Sequence, residues 1–148
     1  MSRLLLFPVV QSDKNKLDQA YEVAEDFKAV YEDIDIWVPQ FFQYDGASIP
    51  SLAWQVIGTP FNPHFMEAAV IHDWLYHTHQ LDKKDADKLF YKILLENNVE
   101  PVKAVLIREA VEKFGNWYWI NDEEDSKYIQ KLKNKIIQIG KDPSKYGI

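Results

Sequence analysis

The chain has 148 residues, with 47% hydrophobic and 14% aromatic content, a formal net charge of −6 and no cysteine. That composition is too apolar for disorder, and the length can bury a core without disulfides or a structural metal. The missing cysteines exclude thiolate zinc sites and thiol nucleophiles, and the acidic balance argues against a nucleic-acid partner.

The apolar patch from Leu4 to Val10 is interrupted by Pro8 and soon followed by Asp13. It is too short for the core of a signal peptide, and no run approaches the ~18 apolar residues of a membrane span. A soluble, unprocessed protein without a transmembrane segment is expected.

Leu4 to Phe7 reads as an edge strand that Pro8 stops. Tyr21 and Val23, then Phe27, Ala29 and Tyr31, then Ile34, Ile36 and Val38, repeat with the period of two that marks half-buried strands. Their closeness predicts a small antiparallel meander. Asp45-Gly46 in the run DGASIP is a turn signal. Ser51 to Ile57 is expected to form a short helix, and GTPFNP a loop.

Asn62 as N-cap and Pro63 at the first helical position open a helix to about His77. After the turn HTHQLD, Asp82 caps a second helix, with Asp85 three residues on and Asn97-Asn98 at its end. Glu100-Pro101 opens a third, with Val102, Leu106, Ala110 and Phe114 in one row and Gly115 closing it. A fourth starts near Asp122, carries Ile129, Leu132, Ile136 and Ile139 as a narrow apolar seam, and ends at Gly140 and Pro143. The seam leaves a dimer open. The fold class is α+β: a small antiparallel meander packed with a helical hairpin and two further helices. A single domain is expected over 1–148, mainly β over 1–45 and mainly α over 46–140.

The run AAVIHDWLY sets His72 and Asp73 side by side in an apolar helix, where ionisable groups are normally excluded. If the hairpin turn centres between His79 and Gln80, antiparallel register brings residue 72 level with residue 87, which is Asp. A buried carboxylate on one imidazole nitrogen fixes the tautomer and makes the other nitrogen more basic. That arrangement can activate water. It also describes a satisfied core histidine with its hydrogen-bond partner, and both readings stand at this stage.

A hard divalent cation held by Asp45, Asp73 and Asp87 is a further option, because carboxylates suit calcium, magnesium or manganese. Asp45 as a plain turn former is the alternative. His77 and His79 are spaced poorly for a helical metal pair and suit a helix C-terminus. The aromatic run FGNWYWI, 114–120, is expected to fold back over the core rather than form a membrane-surface patch.

The blocks VPQFFQYDGASIP, IGTPFNP, AAVIHDWLY and DADKLFYKILLENNV resemble a family of small proteins of tailed phages and prophages whose function is unknown. The resemblance runs from about residue 20 to 119. It implies a phage or prophage protein, in the bacterial host cytoplasm or the virion, but no activity.

HDWLY followed by DADKLF is also similar to the paired-helix signature of phospholipase A2 enzymes. That resemblance implies hydrolysis of a phospholipid or another ester. His72 would be the general base for water, Asp87 would orient it, and Tyr76 would hydrogen-bond Asp87. Asp73 would bind calcium with carbonyls of an upstream loop. The glycine-rich calcium loop of the secreted enzymes is absent, and GTPFNP offers one glycine in its place. The alternative is a non-enzymatic accessory protein with virion proteins as partners, its His/Asp cluster a structural network.

Overall fold

In the computed structural model of the protein, the described residues are 4–9, 20–44, 49–50, 53 and 63–148. The Asp45-Gly46 turn, the Asn62 cap, the GTPFNP loop up to Pro63 and most of the helix expected over Ser51–Ile57 lie outside them. The fold is α+β. The strands are β1 (Leu6–Val9), β2 (Ala20–Val23), β3 (Phe27–Tyr31), β4 (Ile34–Val38) and β5 (Gln43–Tyr44). The helices that follow are α1 (Pro63–Thr78), α2 (Lys83–Glu96), α3 (Pro101–Phe114), α4 (Asn116–Trp119) and α5 (Glu123–Gln138), then a 3₁₀ turn, Pro143–Tyr146. Two compact units result: the strand region up to Asp45 with Glu123–Ile148, and Gly46–Asp122.

In the first unit the strands are antiparallel but do not form one meander. Among the described residues β1, β2 and β5 make one sheet, and β3 and β4 make another. The cause is competition for the edge of β2. Val23 donates to the Phe42 carbonyl and accepts from the Phe41 N–H, so the chain after β4 takes the place β3 would fill. Pro8 does not stop the first strand but lies inside β1, opposite Tyr21. The lost donor is tolerated because β1 is an edge.

Glu32 and Asp33 link β3 to β4, both with left-handed backbones (φ 45 and 68). That is the geometry of a tight two-residue hairpin, here without the usual Asn-Gly. Phe27, Ala29, Tyr31, Ile36 and Val38 point inward as their alternation requires.

From the C-terminal segment, α5 buries Leu132 and Ile136 of its seam and leaves Ile139 exposed. Gly140, at φ 81, ends the turn that follows it. The chain then closes on Asp26. This carboxylate accepts from the Tyr146 hydroxyl at 2.6 Å, Lys141 Nζ at 3.1 Å and the Gln40 N–H at 3.0 Å. Burial alone would raise its pKa, but these donors outweigh it and hold the group below its ordinary value.

In the second unit α1 packs on α2, and α2 on α3. α1 is buried around its circumference from Ala68 to Tyr76, which accounts for a run apolar on all faces. α2 starts where the Asp82 carboxylate accepts from the Asp85 N–H at 2.8 Å, and ends at Asn97. On α3 the buried stripe is Ala104, Ile107, Ala110 and Val111. Val102, Leu106 and Phe114 of the expected row face outward. The two alanines on the inner face allow a close approach that the larger residues would prevent.

Because the folded pKa of Asp26 is depressed, its stabilisation is present above the ordinary carboxylate value of 3.8 and is lost as the pH falls through the folded value. Tyr146→Phe should lower stability by about 1–2 kcal/mol at neutral pH. The deficit should shrink on acidification below about pH 4, measured by urea unfolding at several pH values.

Candidate functional site

The α1–α2 hairpin turns through His79, which adopts a left-handed backbone (φ 54) and donates its N–H to the Leu75 carbonyl. This register carries His72 to Asp87. His72 Nε2 lies 2.8 Å from Asp87 Oδ1, and the Tyr76 hydroxyl donates to that same oxygen at 2.7 Å. Tyr76 stands one helical turn after His72, so both reach one acceptor from one face of α1. The imidazole lies between the rings of Tyr76 and Phe90, with centroids 4.1 and 4.7 Å away. His72 and Asp87 are fully buried, and Asp73 nearly so.

The second oxygen of Asp87 accepts from Lys83 Nζ at 2.7 Å. Lys83 also donates to the Val111 and Glu112 carbonyls of the last turn of α3, both at 3.4 Å. It therefore ties the carboxylate to the negative end of a third helix. Sequence reasoning missed this residue, although the i, i+4 spacing of Lys83 and Asp87 on one helix was a usable signal.

Gly115 caps α3 as expected, its N–H donating to the Val111 carbonyl. Its φ of −71 is right-handed rather than left-handed, and the same residue caps the start of α4. Its role is space. A Cβ there would lie 2.4 Å from the Val111 carbonyl oxygen and 2.7 Å from the Tyr76 hydroxyl. Trp119 then covers the site's edge, meeting Tyr76 at right angles (5.0 Å) and stacking flat on His79 (3.8 Å).

The charges follow from these contacts. Burial would raise the pKa of Asp87, but His72, Lys83 and Tyr76 outweigh it, and the carboxyl stays ionised. Burial pushes His72 down, Asp87 opposes this, and the Lys83 cation adds to the lowering. Burial first, then the Asp87 charge, drives Tyr76 up, so its hydroxyl keeps its proton. An ionised carboxylate only accepts, so Nε2 of the neutral imidazole carries the hydrogen and Nδ1 carries the lone pair.

A calcium site does not follow from the described residues. Among them no three His, Asp or Glu side chains gather as cation ligands. Asp73 sits beside His72 on α1, whereas Asp45 and the loop carbonyls proposed to join it lie outside the described residues.

Residues 21–111 match the family described as "Protein of unknown function (DUF1353)", and the chain belongs to that family. Two relatives come from Sinorhizobium fredii (strain NBRC 101917 / NGR234). The chain is 38% identical to the "Uncharacterized protein y4iH" over 66% of its own length and 40% of the relative's. It is 34% identical to the "Uncharacterized protein y4jT" over 70% of its length and 30% of the relative's. The chain thus spans well under half of either relative. No solved structure matches it. The matched segment contains His72, Tyr76, Lys83 and Asp87 and stops before Gly115 and Trp119.

Asp87→Ala strands buried donors from His72 and Tyr76 and leaves Lys83 without its anion, so it should cost about 3–5 kcal/mol in chemical unfolding. Gly115→Ala should cost roughly 1–3 kcal/mol through overpacking alone. If its unfolding midpoint equals that of the wild type, the tight fit between Gly115 and Tyr76 is wrong.

Proposed function

We propose that this chain is a hydrolase of carboxylic esters, with His72 as general base and a phospholipid ester as the substrate class. The observation that carries the reading is the shared oxygen of Asp87, which accepts from His72 Nε2 and from Tyr76. It fixes the tautomer and the orientation of the imidazole. In the proposed step the His72 imidazole takes a proton from water as the water oxygen attacks the ester carbonyl. The C–O bond to the leaving alcohol then breaks, and the imidazolium returns the proton to that oxygen. Asp87 stabilises the transient imidazolium without taking its proton, and Tyr76 and Lys83 hold Asp87 in place. The similarity of HDWLY and DADKLF to the phospholipase A2 helix pair supports the choice of ester. Calcium on Asp73, with loop carbonyls, belongs to the same proposal. Phage or prophage origin rests on the resemblance carried by the DGASIP and HDWLY blocks.

A second reading is favoured by one observation, the complete burial of His72 and Asp87. In it the cluster is a structural network that fixes the register of α1, α2 and α3. The protein is then a non-enzymatic phage accessory or virion-associated protein.

The deciding assay follows fatty-acid release from phospholipid, with and without a calcium chelator, for wild type and His72→Ala. The hydrolase reading expects a fall of at least about a hundredfold in the variant, with retained secondary structure confirmed by circular dichroism. The structural reading expects no hydrolysis by either protein and a lowered melting temperature for the variant. Equal turnover by both proteins would remove His72 from catalysis.

A further inference from the structure

The aromatic run after α3 does not all fold back. Trp119 turns inward, but Trp117 is 84% and Ile120 75% exposed, and Phe114 and Tyr118 are each almost half exposed. From Phe114 to Asn121 there is no charged residue, in a chain that is 27% charged. A cluster of this kind on a four-residue helix is not what solvent alone selects.

We infer that the exposed face of Phe114–Asn121 is a docking surface for a zwitterionic phospholipid surface. Three observations lead there. The first is area. The four side chains offer roughly 500 Å², short of the about 800 Å² per partner that a stable dimer buries. An apolar patch of that size, rich in tryptophan and tyrosine, suits the headgroup boundary of a bilayer, where an aromatic ring is half apolar and half wet. The second is charge. The face is uncharged and the whole chain carries −6, which matches a neutral headgroup layer and opposes an anionic one. The third is connection. Within the same run, Trp119 lies edge-on to Tyr76, and its carbonyl is 2.8 Å from His79 Nε2. Asn121 Nδ2 donates to the His77 carbonyl at 2.9 Å. The exposed face is thereby braced to the end of α1 that carries the His72–Tyr76–Asp87 cluster.

The lipid as substrate rests on the proposed hydrolase. Surface binding does not, and it is read without turnover by using ether-linked phosphatidylcholine vesicles, which have no acyl ester to cleave. Co-sedimentation should show wild type bound. The double variant Trp117→Ser/Ile120→Ser, whose changes lie on the surface, should bind about tenfold more weakly or less, with an unchanged melting temperature. Failure of wild type to bind, or equal binding by the double variant, overturns the inference. So does a wild-type dimer in sedimentation equilibrium that the double variant abolishes, because the occupant is then a second copy of the chain. Binding to the ether lipid without hydrolysis of the ester lipid leaves the surface in place and removes the hydrolase.

Discussion

The Asp87 carboxylate joins three helices of the second unit. Burying an ionised carboxylate is costly unless its lone pairs are engaged and its charge is met. Both conditions are satisfied from three directions: His72 and Tyr76 on α1, and Lys83 from the first turn of its own helix. Lys83 then carries the connection to the carbonyl end of α3. The hairpin cannot slide by a residue without losing at least two of these bonds. The register of α1 against α2 is therefore set by polar geometry, while the surrounding apolar side chains supply most of the burial energy.

The first unit uses the same device with different spacing. Asp26 gathers Gln40, Lys141 and Tyr146, which are 14, 115 and 120 residues away in the chain. Around it, Lys28 and Lys145 flank the ring of Trp37 at 5.4 and 4.1 Å. In both units a carboxylate with little exposure joins elements that hydrophobic patterning alone would align only loosely.

Much of this was legible in the sequence because it rests on local rules. The caps of α2, the proline at the start of α3 and the alternation of β3 each depend on residues within one turn or one strand. The His72–Asp87 approach was legible for a related reason: a short helical turn fixes the register of its two arms. What escaped depends on the partner element. Which strand takes the open edge of β2 is decided by the hydrogen bonds that Val23 exchanges with Phe41 and Phe42, and no pattern in β2 announces it. Gly115 closes α3 as its sequence position indicates, but its further constraint, the nearness of the Tyr76 hydroxyl, comes from a residue 39 positions earlier. The aromatic run was misjudged as a block, although α4 is short enough to send one tryptophan inward and its neighbour out.

The division of the chain also has a consequence for how it is made. The Gly46–Asp122 unit is contiguous, and the bonds to Asp87 span 15 residues or fewer. It can condense as soon as α3 has emerged from the ribosome. The strand unit is interrupted, and Asp26 must wait for Lys141 and Tyr146 at the far end of the chain. Until they arrive the Asp26 carboxylate lacks two of its donors, and long-range closure of this kind is slow. The acidic pair Glu32-Asp33 at the tip of the hairpin, and Pro8 within the edge strand β1, discourage stray pairing during that interval.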